Sequence, residues 1–426
     1  MEREFLAKKM NNERSARWAW CTYDWANSAF PTVIVTFVFS AYFTKTVASS
    51  VEEGTGLWGL TLSLSAIVIA ALSPVLGAAA DQKVQRKTYL AFLTAICIIC
   101  TALLWFVKPS NDSMILALIL FAVANVAFEI GVVFYNSLLP GLVPKTHLGR
   151  LSGWGWGLGY AGGLVALAII LFFFIKPSTP PLSLNKDAAE HIRIVGPLVA
   201  IWFAIFSIPL FILVPEKQVR KHLSATSVMS AGLKSMLHTF KTLKNGGPLA
   251  RFFIARMFYT DGLNTLFAFG GIYAVGTFGL TFESLIIFGV AMNISAGLGS
   301  VLFSWIDDYF GSKETVLVAI IAILILGIPL LIITSVKLFW FFALLLGLFI
   351  GPAQSASRTI LAKLAPDEKI GEMFGLFAFS GRITAFIGPS ILALATMVFS
   401  SQRVGMATIL MFVGIGGAIL ITVKIK

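Results

Sequence analysis

About twelve apolar stretches long enough to span a bilayer follow one another along the chain, separated by short polar loops. Hydrocarbon offers no water to backbone N–H and C=O groups, so each stretch must pair them internally and folds as a helix. The stretches fall roughly at 18–44, 57–80, 89–107, 114–139, 151–175, 194–214, 250–278, 283–305, 315–335, 338–361, 371–397 and 403–423. Charged residues make up only 12% of the 426, far below the roughly 25% of a soluble chain. The predicted fold class is all-α, a polytopic membrane protein of twelve transmembrane helices.

A net charge of +12 would suggest nucleic acid in a soluble protein, but here the bases sort by loop. One alternating set of segments holds 23 Lys and Arg and the other 7, with Arg256 and Arg382 inside stretches. The positive-inside rule then puts both termini in the cytoplasm. Met1 to Arg17 is charged and precedes an apolar run without a small-residue cleavage site, which reads as a retained first helix. Cys21, Cys97 and Cys100 sit in apolar stretches without His or carboxylate neighbours, so neither a disulfide framework nor a metal is expected.

The chain repeats itself. Asp24 and Asn27 return as Asp261 and Asn264 at an offset of 237. Gly77-x-x-x-Asp81 with Arg86 and Lys87 returns as Ser304-x-x-x-Asp308 with Lys313, Asp to Asp at an offset of 227. Pro144, Gly149 and Gly153 match Pro366, Gly371 and Gly375 at 222. Shorter outside loops in the second half account for the falling offsets, and the halves are parallel six-helix pseudo-repeats. The expected domains are a cytoplasmic segment 1–17, a bundle 18–214, a cytoplasmic linker 215–249 and a bundle 250–426. The linker carries Lys217, Arg220 and Lys221. Met229, Leu233, Met236, Leu237, Phe240 and Leu243 follow at helical spacing, an amphipathic helix on the inner membrane face or a plain tether.

A carboxylate within a membrane helix costs on the order of 2.5–3.5 kcal/mol by insertion scales and marks a functional candidate. Asp24/Asn27 and Asp261/Asn264 each share a helix face near the cytoplasmic end, beside Tyr23 and Tyr259. They form a substrate or proton site, a gate at the inner mouth, or a packing network. Asn125 and Glu129 share a deeper face of the fourth stretch. Glu129 is a candidate proton carrier, or is held ionised by Arg382 or Arg256. Neither arginine can shed its proton, so each calls for a carboxylate or an anionic ligand. In the Asp81/Arg86/Lys87 and Asp308/Lys313 turns the acid can cap a helix N-terminus or bridge the halves; the alternative is a static topological anchor.

Gly153-x-Gly155-x-Gly157-x-Gly159 with Gly162-Gly163 follows no strand and lacks Lys-Ser/Thr, so it is not a phosphate loop. Glycines at this density inside a membrane helix permit close helix approach. No Ser-His-Asp set and no metal-ligand set lies on one side of the membrane, so no enzyme and no cofactor are expected.

Twelve helices, parallel halves and charged turns after the second and eighth helices resemble the major facilitator superfamily. Within it, Tyr23-Asp24-Trp25-Ala26-Asn27-Ser28-Ala29-Phe30 resembles the signature of the vacuole-effluxer-like branch, which includes a fungal autophagy-related vacuolar amino-acid exporter. Phe134-Tyr135-Asn136-Ser137, Gly159-Tyr160-Ala161-Gly162-Gly163, Tyr259-Thr260-Asp261-Gly262 and Gly351-Pro352-Ala353-Gln354-Ser355-Ala356-Ser357-Arg358 are similar to that branch too. The resemblance implies alternating access around a cavity lined by helices one, four, seven and ten. Val84 stands where the superfamily's loop usually has glycine, and Ser304 replaces the leading glycine of the second loop.

The expected substrate-binding residues are Asn125, Glu129, Tyr135, Gln354 and Arg382. Those expected to gate or couple are Asp24, Asn27, Arg256, Asp261, Asn264, Asp81, Arg86, Asp308 and Lys313. The function expected is secondary transport of a small polar or zwitterionic solute such as an amino acid, with proton coupling. Efflux of lysolipids or amphipathic compounds, and a non-transporting sensor, are the alternatives. The expected partners are the solute, protons and the bilayer, with no nucleic acid, for a monomer in a bacterial inner membrane.

Overall fold

The computed structural model describes residues 2–83, 86–177, 181–216, 225–244 and 246–425. Val84, Lys217, Arg220 and Lys221 lie outside the described residues, as do the side chains of Met229 and Phe240. Among the described residues every regular element is helical. In chain order the long helices are α1 (Glu2–Asn27, continued by π-helical turns Phe30–Phe37 and Phe43–Val47), α2 (Val51–Lys83), α3 (Arg86–Leu103), α4 (Met114–Leu138), α5 (Leu148–Ile170) and α6 (Val195–Leu213). A linker helix (Ala225–Leu243) precedes α7 (Pro248–Phe278), α8 (Phe282–Phe310), α9 (Ser312–Ile332), α10 (Val336–Leu364), α11 (Ile370–Arg382 and Ile387–Val398) and α12 (Gln402–Ile421).

Eleven passages among the described residues are long and apolar enough to cross a membrane. The remaining one is α7, whose 31 residues would reach across. Arg251, Arg256, Asp261 and Asn264 make it less apolar than the others. Its ends are well specified. Pro248 occupies the first turn, where its missing N–H costs nothing, and Gly279 takes the left-handed conformation at φ 68° that closes the last turn. Gly311, at φ 111°, makes the one-residue turn between α8 and α9.

Two of the expected continuous helices are interrupted. In α1 the ladder widens to π-helical turns from Phe30, where Pro31 has no amide to donate. In α11 the helix stops at Arg382 and restarts at Ile387. Pro389 supplies the reason, because its ring would clash with the Ala385 carbonyl of an unbroken helix.

Two compact units divide the chain, and neither is a simple half. One comprises Met1–Leu72, Lys83–Leu138 and Leu158–Lys221; the other comprises Ser73–Gln82, Leu139–Gly157 and His222–Lys426. Each repeats the same set of clamps onto helix C-termini. In the first, Lys87 Nζ donates to Val214 O at the end of α6 (2.5 Å), Tyr42 Oη to Val107 O past the end of α3 (2.9 Å) and Arg193 Nε to Trp105 O (2.8 Å). In the second, Lys313 Nζ donates to Ile421 O and Val423 O at the end of α12 (2.8 and 2.7 Å). Tyr273 Oη donates to Leu330 O near the end of α9 (2.7 Å), and Arg403 to Leu331 O and Ile333 O (2.7 and 2.6 Å). Cations and hydroxyls here satisfy carbonyls that a helix end leaves unpaired.

Candidate functional site

The second unit contains two carboxylates that grip helix N-termini. α11 begins at Ile370 with its first backbone N–H groups unpaired by the helix itself. Asp81, at the end of α2, accepts from Gly371 N on Oδ1 (2.9 Å) and from Glu372 N on Oδ2 (2.8 Å). Both bonds are charge-assisted and set a negative charge against the positive helix end. Gly77 and Gly371 permit the approach, since a Cβ on either would meet the carbonyl oxygen of the other.

Asp308, at the end of α8, treats α5 in the same way. Its Oδ1 accepts from Gly149 N (2.8 Å) and its Oδ2 from Arg150 Nε (2.7 Å). Beside it, buried Asp307 meets Ser312 Oγ and, at 3.6 Å, Lys363 Nζ. Arg358 of α10 adds a third tie to α5. It donates to Ser152 Oγ (2.9 Å) and Ser152 O (2.7 Å), and Ser152 Oγ in turn donates to Ser355 O (2.8 Å). Gly153 and Gly157 bring this part of α5 against Ser300, Ser304 and Val301 of α8.

α7 holds both sides of the break in α11. Arg256 Nη1 donates to Phe377 O (2.6 Å) and Ser380 Oγ (2.7 Å), with its guanidinium 3.4 Å from the centre of the Phe377 ring. Sequence pointed to a carboxylate or anionic ligand for this arginine; here a carbonyl, a hydroxyl and a ring face receive it. Asp261 is 1% exposed and its Oδ2 accepts from Gly388 N (2.9 Å), in the first turn of the second α11 segment. Its Oδ1 is buried with no hydrogen-bond partner among the described residues. Arg382 closes the first segment, within electrostatic reach of Arg256. Asn264 and Gln354 are half-buried on α7 and α10. Two guanidiniums and an acid thus flank the interruption of α11.

In the first unit Asp24 is half-buried and Asn27 buried on α1, where Ser28 Oγ donates to Asn27 Oδ1 (3.3 Å). α5 lies directly on this stretch. A Cβ at Gly159 would meet Ser28 Oγ, one at Gly162 the Trp25 backbone, and one at Gly163 the Thr32 side chain. Asn125 is buried and Glu129 half-buried on α4. Tyr135 is fully buried. It stacks on Trp20 (4.5 Å between ring centres) and on Tyr23 (4.9 Å), and exchanges hydrogen bonds with Trp20 at 3.1 Å in each direction. Tyr23 Oη meets Thr94 Oγ1 at 2.7 Å. Arg86 reaches Ser137 O at 3.4 Å.

The carboxylates at the charged turns thus cap helices, while the lysines beside them, Lys87 and Lys313, hold helix C-termini and take no part in those caps. Ser152 carries no signal in the sequence, and Arg358 enters there only as the last residue of the segment that starts at Gly351. Arg358 is 3% exposed inside α10. An arginine within a run of small residues and alanines was the available signal.

A bundle of long apolar helices, duplicated clamps and reciprocal caps between sequence halves define a membrane transporter of the major facilitator type. Solved structures agree on the fold. A proton:xylose symporter, XylE, superposes with a TM-score of 0.73 at 14% identity over 97% of this chain and 95% of its own. A fucose transporter, FucP, in its outward conformation gives 0.74 at 12% identity over 96% and 99%. Residues 12–426 match the family described as Vacuole effluxer Atg22 like, and the chain belongs to that family. It is 26% identical over 405 residues to the uncharacterized MFS-type transporter YxiO of Bacillus subtilis, covering 94% of this chain and 93% of that one. It is 27% identical over 244 residues to autophagy-related protein 22 of Schizosaccharomyces pombe, covering 54% of this chain and 44% of that one. The match spans less than half the length of that fungal relative.

Proposed function

We propose that this transporter moves a small polar or zwitterionic solute, with amino acids the leading class, by alternating access coupled to protons. The observation that carries the reading is the pair of reciprocal caps, Asp81 on α11 and Asp308 on α5. Each joins a helix from one half of the sequence to the first turn of a helix from the other. Carboxylate and amides are all groups that water can take over, so such a contact is nearly balanced between closed and open. A gate requires that balance. The excess of Lys and Arg in one alternating set of loops supports a gate at the cytoplasmic face and cytoplasmic termini, and a bacterial inner membrane is the proposed location.

Arg256, Arg382 and Asp261 around the α11 interruption support a zwitterionic cargo. A carboxylate gains the guanidiniums and an ammonium gains the acid, each through charge-assisted bonds. Asn264 on α7 and Gln354 on α10 add half-buried polar groups within the same unit.

The test begins with thermal unfolding of purified protein against amino acids, short peptides and lysolipids. A ligand present at a hundred times its Kd raises stability by about 2.7 kcal/mol. Counterflow and pH-driven accumulation in proteoliposomes then follow for each stabilising compound. Stabilisation by lysolipids alone, with no amino acid or peptide carried, would overturn the substrate assignment.

A further inference from the structure

The linker helix has two faces of different chemistry. One carries Gly232, Ser235 and Thr239, spaced three and four residues apart on a single stripe. Gly232 lies on the end of α2, where a Cβ would come within 3.0 Å of both Ala79 N and Val75 O. Ser235 Oγ donates to Glu372 Oε2 at 2.6 Å. Lys369 Nζ donates to Thr239 Oγ1 at 3.1 Å and lies 3.9 Å from Glu372 Oε2. Glu372 is 1% exposed, and its own amide is one of the two held by Asp81. A single residue of α11 therefore receives α2 on its backbone and the linker helix on its side chain.

The other face is open. Leu233 and Leu237 are exposed, as are Lys234, Lys241 and Lys244, and no acidic residue occurs in the helix. Exposed leucines flanked by lysines fit a bilayer surface with anionic headgroups.

We propose that the partner of this open face is the anionic phospholipid surface, and that lipid binding presses the linker helix onto the Asp81–α11 cap and holds it shut. The coupling is reciprocal, since whatever stabilises the docked helix stabilises the cap beneath it. The inference rests on reading that cap as a gate, and its test uses no substrate.

Full-length protein is placed in nanodiscs of phosphatidylcholine alone or mixed with phosphatidylglycerol, and hydrogen exchange is followed at Gly371 and Glu372. Exchange is expected to slow about tenfold in the anionic discs. Changing Lys234, Lys241 and Lys244 together to Gln should abolish that difference without altering exchange in neutral discs. Gly232→Val, which pushes the helix off α2, should raise exchange in both lipids, and Ser235→Ala should do so more mildly. Equal exchange of the unmodified protein in both lipids, or an undiminished lipid effect in the triple Gln variant, would overturn the proposal. Lipid-dependent exchange in a protein that carries no solute would instead overturn the transport reading and leave the latch standing.

Discussion

Asp81 and Asp308 are counterparts: each is the carboxylate at the end of its helix, and each accepts the amide of a matching glycine, Gly371 or Gly149. The second bond differs. Asp81 takes another amide, Glu372 N, whereas Asp308 takes the Arg150 side chain. Losing an N-cap carboxylate costs about 1 kcal/mol, or roughly fivefold in a local opening equilibrium. Asp81→Ala should therefore raise hydrogen exchange at the start of α11 by about fivefold, and Asp308→Ala should do the same at the start of α5. Solute uptake should fall in both while folded protein is retained. Uptake equal to that of the unmodified protein in both variants would remove these carboxylates from the gate.

Lys87 and Lys313 predict the opposite profile. Each lysine bonds a carbonyl at or just past the end of the last helix of its own sequence half. Lys87→Met and Lys313→Met should each lower stability by about 1 kcal/mol, read as an earlier thermal unfolding transition. Solute flux per folded molecule should not change. A flux defect exceeding the loss of folded protein would show that these residues do gate.

The glycines of α5 make a sign prediction. Gly162→Ala places a Cβ against the Trp25 backbone, which cannot move aside as a flexible side chain would. Overpacking of this kind costs about 1–3 kcal/mol. Gly59 lies within α2 with no atom in the way of a Cβ, so Gly59→Ala should stabilise by about 0.5–1 kcal/mol through helix propensity. Thermal shifts of the same sign in the two variants would contradict the packing account.

Much of this architecture is legible in the chain because hydropathy, turn chemistry and repetition are local signals. The twelve passages and the duplicated turns followed from short segments, and capping was one of the roles those segments left open to their carboxylates. What stayed hidden were partners on the backbone. Asp81 bonds amides 290 and 291 residues away, and Arg256 bonds the Phe377 carbonyl. Every residue carries an amide and a carbonyl, so no side-chain pattern announces which ones will be left open at a helix end. The Lys87/Lys313, Tyr42/Tyr273 and Arg193/Arg403 clamps are not legible in the sequence for the same reason. The α11 interruption had a visible cause in Pro389, but apolar residues on both sides masked it in the hydropathy.

Asp261 separates structure from coupling most cleanly. One oxygen caps Gly388 at the restart of α11, and the other is buried without a hydrogen-bond partner among the described residues. A proton can therefore be taken up on Oδ1 without disturbing the cap on Oδ2. Asp261→Asn keeps an acceptor for Gly388 N but can no longer titrate, whereas Asp261→Ala loses the cap as well. If Asp261 couples protons, the Asn variant should remain folded and exchange solute in counterflow but fail to accumulate it under a pH gradient. The Ala variant should in addition unfold earlier, by about 1 kcal/mol of lost capping. Accumulation that survives in the Asn variant would move the coupling role away from α7, and Glu129→Gln on α4 is the variant that would then be expected to lose it.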